Sequence, residues 1–282
     1  MPITTRPLSN TLGIEMSGLD MSQRIDEATL DAVRNLWRRH GLVLFRGQKL
    51  EEEQLVAFSR NFGALEIHVR REYLSTQNPE VLYVSNMKKD GRPIGILADT
   101  EVGWHYDQIY LPRPAVGSLL YSVIIPADRG ATSFADMSAA YDALPEATKK
   151  RIDSRRAVQS YEAFNRSYSV PTSEEQRRKT PDIEHPLVRT HPYTGRKALY
   201  ICPGMTTRVV GLAEKESDEL LAELFAWSTQ PRFVYTHSWQ LGDALLWDNA
   251  CTMHRREPFD SSQQRLMKRT TILPDPAVAA PF

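Results

Sequence analysis

From Glu80 onward the apolar residues come in short runs closed by turns, and this punctuation restricts the fold more than any other feature. Val81 to Val84, Leu119 to Ile125, Ala198 to Cys202, Phe233 to Tyr235, Ala244 to Trp247 and Arg265 to Leu273 are rich in branched and aromatic residues, the composition of strands. Strands at this count suggest a sandwich or jelly roll.

Helices interrupt and precede them. Asp26 to His40 places Leu30, Val33, Leu36 and Trp37 on one helical face, with Gly41 as a C-cap. Leu42 to Phe45 is a short apolar run, and Glu51 to Phe62 repeats the helical stripe before Gly63. A helix is expected around Ser138 to Leu144, continuing past Pro145, and another from Glu214 to Ser228 with Leu220, Leu221, Leu224 and Phe225 on its inner face. Val170 to Pro186, rich in Pro and charge, reads as a long loop of the kind used for lids. Pro274 to Phe282 has the composition of a tail, and no repeat or domain boundary is visible.

The chain has 282 residues, 41% of them hydrophobic, enough for a substantial core. A formal net charge of zero provides no global field for nucleic acid or an anionic membrane. No apolar stretch approaches a membrane span and the N-terminus lacks a signal core, so a cytoplasmic protein is expected. The two cysteines, Cys202 and Cys251, lie in apolar stretches and read as buried thiols. Whether the chain forms a homo-oligomer is left open.

The chemistry centres on His105-Tyr106-Asp107. On an extended strand, positions i and i+2 share a face, so the imidazole and carboxylate can bind one ion. A distant second His would complete a two-His-one-carboxylate facial triad, which leaves three octahedral positions open. In a chain with seven His and 35 acids such a pair is common by chance, and alone it decides nothing. His254 stands where a new strand begins after the turn Asp248-Asn249. His40, His185, His191 and His237 read as structural.

Taken in order, Trp104-His105-Tyr106-Asp107, Arg129-Gly130-Ala131-Thr132, His185-Pro186-Leu187-Val188-Arg189-Thr190-His191-Pro192, Tyr193 to Tyr200, Trp247-Asp248-Asn249 with His254, and Arg265 with Arg269 resemble the taurine dioxygenase / 2,4-dichlorophenoxyacetate dioxygenase family. The resemblance covers most of the chain. It implies a mostly β fold with some α structure, a double-stranded β-helix (jelly roll) core with flanking helices. One domain would span 1–282, with an α/β portion to about residue 65, the core from about 80 to 273, and a tail. It also implies Fe(II) held by His105, Asp107 and His254, with 2-oxoglutarate and O₂ consumed to hydroxylate a substrate and release succinate and CO₂.

Arg265 would grip the distal carboxylate of 2-oxoglutarate with help from the Thr132 hydroxyl, again by resemblance. On one strand Arg265, Met267 and Arg269 face the same way, and buried guanidinium groups need anionic partners. No acid lies between Arg265 and Ile272. Arg269 is therefore expected to meet a small anionic organic substrate, with a loop acid such as Asp243 or Asp248 as the rival partner.

His68 matches a family position that contacts the substrate's anionic head, while Arg71 stands where a tyrosine is found and Met205 where a phenylalanine is found. Tyr106 and Ala131 are further departures, which leave open a carboxylate of the aryloxyalkanoate kind or a taurine-like sulfonate. The presence of Asp107 favours hydroxylation over halogenation, whose enzymes lack this carboxylate. A non-catalytic, metal-stabilised binding protein would have no need of Arg265 and Thr132, and a zinc hydrolase would need a positioned acidic base.

Overall fold

The computed structural model describes residues 3–96, 101–127, 130–165 and 172–278. Two sheets form its core. The long sheet runs Thr4–Pro7, Ile14–Ser17, Leu42–Phe45, Ala244–Asp248, Gly117–Ile124, Leu266–Ile272, Leu82–Ser85. The short sheet runs Val234–His237, Thr132–Asp136, Thr252–Arg256, Val102–His105. Neighbours are antiparallel except the pair Ile14–Ser17 and Leu42–Phe45. This is the mostly β arrangement the turn spacing predicts, and its first two strands carry no strong apolar run.

The long sheet is buried on both faces, which is why its central strands read as continuous apolar runs rather than alternating ones. Leu42, Leu44, Leu120, Leu245, Trp247 and Met267 point toward the short sheet and pack with Phe134. Their neighbours Val43, Phe45, Leu119, Tyr121, Ala244 and Leu246 point the other way, against Val33, Trp37, Leu55, Val56 and Phe58. The last five belong to Glu27–His40 and Glu52–Arg60, so the helices cover the outer face as flanking elements. Truncating a central side chain such as Trp247 to Ala would cost about 3–5 kcal/mol.

Local signals set the helix ends. Asp26 accepts from the Thr29 amide, and Gly41 ends the first helix at φ 67° with its N–H on the Trp37 carbonyl. A Cβ at Gly41 would also lie 3.0 Å from Thr252 Cγ2, so this C-cap doubles as a close approach to the second half of the chain.

Two expectations fail here. The helix starting near Ser138 does not continue past Pro145: Met137–Asp142 and Glu146–Ile152 are separate, because a proline in the interior would remove a donor and clash with the preceding turn. Val170 to Pro186 is not one long loop. Val170 and Pro171 lie outside the described residues, but Ser173 caps the helix Glu174–Lys179 in a reciprocal capping box, and Ile183–Pro186 is a strand paired with Arg156–Gln159. The capping-box signal Ser-x-x-Gln was present in the sequence. Cys202 and Cys251 are free and buried, as expected. No described helix is long and apolar enough to cross a membrane.

Candidate metal centre and active site

Val102–His105 and Thr252–Arg256 pair so that His105 and His254 stand opposite each other, with ring centroids 4.2 Å apart. Asp107 is not on that strand, contrary to the same-face expectation. It opens the turn that follows, and Gln108 takes a positive φ of 60°. The turn delivers the carboxylate all the same: ligand atoms of His105, Asp107 and His254 lie within 4.8 Å of one another.

The donor set suits a divalent cation. His105 Nδ1 lies 2.8 Å from the Gly103 carbonyl, which leaves Nε2 for the ion. Burial pushes the His254 imidazole down to about 3, reinforced by His105, and burial also lowers His105. Both rings are therefore uncharged near neutrality, the form that ligates. For Asp107, burial alone would raise the carboxyl, but Arg269, His254 and His105 together hold it well below the usual carboxylate range. Ser118 donates to its Oδ2 at 2.7 Å and Arg269 Nη1 to its Oδ1 at 3.2 Å. Ser118 lies in an apolar strand and nothing in its sequence context marks it.

A second group, His191, Asp248 and Cys251, also converges, but its donor atoms are engaged. His191 Nε2 is 2.9 Å from Asp248 Oδ2, His191 Nδ1 accepts from the Tyr193 and Thr194 amides, and Asp248 Oδ1 accepts from the Ala250 amide. Burial raises the Cys251 thiol well above its ordinary value, so no thiolate is available. This cluster pins the turn that precedes His254 and is structural, as His191 was expected to be.

Arg265 directly precedes its strand and is 1% exposed. Its Nε and Nη1 have no hydrogen-bond partner among the described residues. Burial, followed by the repulsion of Arg256, pushes its guanidinium down to about 9, so it remains a cation near neutrality. Gly130 lies beside it, since a Cβ there would be 3.7 Å from Arg265 Nε; Arg129 lies outside the described residues. Thr132 begins the strand that pairs with Thr252–Arg256, two residues along the ladder from Phe134, the partner of His254. A buried cation with unfilled donors needs an anion.

Arg269 is not the uncompensated cation anticipated. Its partner is neither Asp243 nor Asp248 but Asp107 itself, while Lys268 on the opposite face pairs with Glu52 at 3.1 Å. Arg269 Nε remains buried without a partner among the described residues. Glu66, unnoticed in the sequence, accepts from Gln108 Nε2. Burial raises its carboxyl, opposed by Arg269 and reinforced by Asp107.

His68 feels the same Arg269: burial and then that charge push it down to about 4. Its Nδ1 accepts from the Arg70 amide at 3.1 Å, which leaves an Nε2–H to donate. Arg71 is exposed on the turn Arg71–Tyr73 and makes no hydrogen bond or ion pair to the site among the described residues. Met205 is buried in the apolar cluster with Tyr106 and Tyr200. Phe164 packs against His105 at 5.7 Å, and Tyr110 against Tyr161 at 4.8 Å.

Comparison with known proteins identifies the family. Residues 4–271 match the sequence model of the "Taurine catabolism dioxygenase TauD, TfdA family". The chain is 35% identical to the alpha-ketoglutarate-dependent 2,4-dichlorophenoxyacetate dioxygenase of Cupriavidus pinatubonensis, over 99% of this chain and 100% of that protein. It is 34% identical to the (S)-phenoxypropionate/alpha-ketoglutarate-dioxygenase of Sphingobium herbicidovorans, over 96% and 95%. Among solved structures, AAD-2 in complex with Mn(II) and N-oxalylglycine superposes with a TM-score of 0.83 at 32% identity, covering 98% of each chain. The chain belongs to the TauD/TfdA family and is an alpha-ketoglutarate-dependent dioxygenase with that family's jelly-roll core.

Proposed function

We propose that the chain is an Fe(II) enzyme that hydroxylates a small organic carboxylate of the aryloxyalkanoate kind. In this reading His105, Asp107 and His254 hold the iron, Arg265 and Thr132 hold the distal carboxylate of 2-oxoglutarate, and Arg269 with His68 receives the substrate's anionic group. When bound, iron with 2-oxoglutarate and O₂ supplies the oxidation, so that a substrate C–H becomes C–OH while 2-oxoglutarate becomes succinate and CO₂. The observation that carries the reading is a convergent two-His-one-carboxylate set in a chain that also buries Arg265 with its Nε and Nη1 unpartnered among the described residues.

The protein's own part is positional. Ser118 and Arg269 fix the Asp107 carboxylate from two sides. Arg269 keeps its Nε, and His68 its Nε2–H, as donors for an incoming anion. The rings of Phe164, Tyr110 and Tyr161 supply a wall for an aryl group. The substrates named for the two similar dioxygenases, 2,4-dichlorophenoxyacetate and (S)-phenoxypropionate, combine such a ring with a carboxylate. One domain suffices, because Thr4–Pro7 and Ile14–Ser17 continue the core sheet.

The test is a screen of aryloxyalkanoic acids and taurine with anaerobically loaded Fe(II) and 2-oxoglutarate, followed by O₂ and measurement of succinate and hydroxylated product. An aryloxy acid should drive stoichiometric succinate formation. His254→Ala should abolish both turnover and the visible band of the iron–2-oxoglutarate chelate. A band that survives in that variant removes His254 from the metal, and turnover of taurine alone overturns the substrate class.

A further inference from the structure

Thr132 stands between two partners in the short sheet, His237 across one ladder and Arg256 across the other. Its buried hydroxyl oxygen accepts a hydrogen bond from the indole Nε1–H of Trp239 at 3.0 Å. An indole nitrogen can only donate, whereas a threonine hydroxyl has one hydrogen to give and two lone pairs. The direction of this bond is therefore fixed, and the hydroxyl hydrogen must point elsewhere. No acceptor among the described residues takes it.

Trp239 is itself held in place. Its ring meets His237 edge to face, with centroids 4.6 Å apart and planes at 89°. His237 is fully buried, with Nε2 3.0 Å from Asp243 Oδ2 and Nδ1 3.1 Å from the Tyr235 hydroxyl. The same Asp243 oxygen accepts from Arg46 Nη1 at 2.7 Å and from the Gln240 amide at 2.8 Å. The indole thus packs on a polar network that runs through Asp243 to Arg46, just beyond the strand Leu42–Phe45.

We propose that Trp239 is a positioning residue for 2-oxoglutarate: by donating to Thr132 Oγ1 it aims that hydroxyl's hydrogen at the carboxylate held by Arg265. Successive donation polarises the hydroxyl and strengthens its bond to the anion. The inference rests on the reading of Arg265 and Thr132 as the co-substrate grip given above.

A double-mutant cycle separates the two. N-oxalylglycine is titrated calorimetrically into Mn(II)-loaded wild type, Thr132→Val, Trp239→Phe and the double variant. Thr132→Val should weaken binding about tenfold, as for loss of one hydrogen bond to a charged group, and Trp239→Phe about three- to tenfold. If Trp239 acts through Thr132, the double variant should bind within about twofold of Thr132→Val rather than multiply the losses.

Trp239→Phe should also raise KM for 2-oxoglutarate while leaving kcat, Mn(II) affinity and the melting temperature near wild type. Trp239→His keeps a ring N–H and serves if the Phe variant does not fold; it should bind within about threefold of wild type. Wild-type binding by Trp239→Phe, multiplying losses in the double variant, or a loss in Trp239→His equal to that of Thr132→Val would each overturn the proposal. Wild-type binding by Thr132→Val would instead show that Thr132 is no part of the co-substrate grip.

Discussion

The wall around Arg265 and the mouth around His68, proposed to serve the same three candidate metal ligands, are built differently. At the wall, Arg265 and Thr132 are buried, on or directly beside strands, and backed by the network of His237, Asp243 and Arg46. At the mouth, His68 lies on a segment without regular structure between Ile67 and Val69, which are 51% and 77% exposed. The two arginines differ in the same sense: Nε and Nη1 of Arg265 have no partner among the described residues, whereas Arg269 holds Asp107. Under the proposed roles, the wall receives the co-substrate and depends on it for charge balance. The mouth is balanced already, and its loop can vary without disturbing the sheets.

The sharpest way to break this contrast is Arg265→Met. Under the proposed roles it deletes a buried charge-assisted pair worth about 2–5 kcal/mol, so 2-oxoglutarate affinity should fall by roughly 30-fold or more. The ligand-free variant should nevertheless melt above wild type, because an unpaired buried cation has been replaced by an apolar side chain of similar volume. Calorimetry with and without 2-oxoglutarate reads both signs. A lower melting temperature with unchanged affinity would mean that Arg265 is a structural residue.

Arg269→Gln probes the opposite side with a smaller effect. Affinity for 2-oxoglutarate should stay within about threefold of wild type, while KM for an aryloxy acid rises by about tenfold. Its neutral amide analogue should show little change. Equal losses on acid and amide would confine Arg269 to holding Asp107.

His185 supplies the control, with no effect on either end of the site. It is 2% exposed, its Nε2 lies 2.9 Å from the Leu111 carbonyl, and burial, partly offset by that bond, pushes it down to about 4. Between pH 6.5 and 4 the unfolded chain therefore binds a proton that the folded chain does not, so stability falls as pH drops through that window. The contribution is on the order of 2–3 kcal/mol. His185→Gln should flatten the dependence of the urea midpoint on pH while leaving both KM values unchanged, and a shifted KM would tie this histidine to the site.

Much of this was legible in residue order. The central strands announced themselves because burial on both faces makes them uninterrupted apolar runs, and the helices because their stripes and caps are local. The metal ligands needed the combined motif, since His-x-Asp is common and the turn after His105 leaves no periodic trace. Partners set by tertiary approach were invisible: Ser118 sits in an apolar strand, Glu66 in a loop, and Trp239 reads as one more aromatic. The pairing of Arg269 with Asp107 was missed for the same reason, because charges distant in sequence cannot be matched by counting acids nearby.

The direct opposition of His105 and His254 across one ladder also bears on how the protein is made. One of these strands precedes most of the core and the other comes near its end, so the pairing is a contact of high sequence separation, whose loop-closure entropy slows folding. During synthesis the first two ligands leave the ribosome long before the third exists, and a lone His-x-Asp pair is a poor metal chelator. If these residues hold the metal as proposed, a complete site exists only once both strands have been made. A chain truncated before residue 254 would lack not only that candidate ligand but the strand that faces His105.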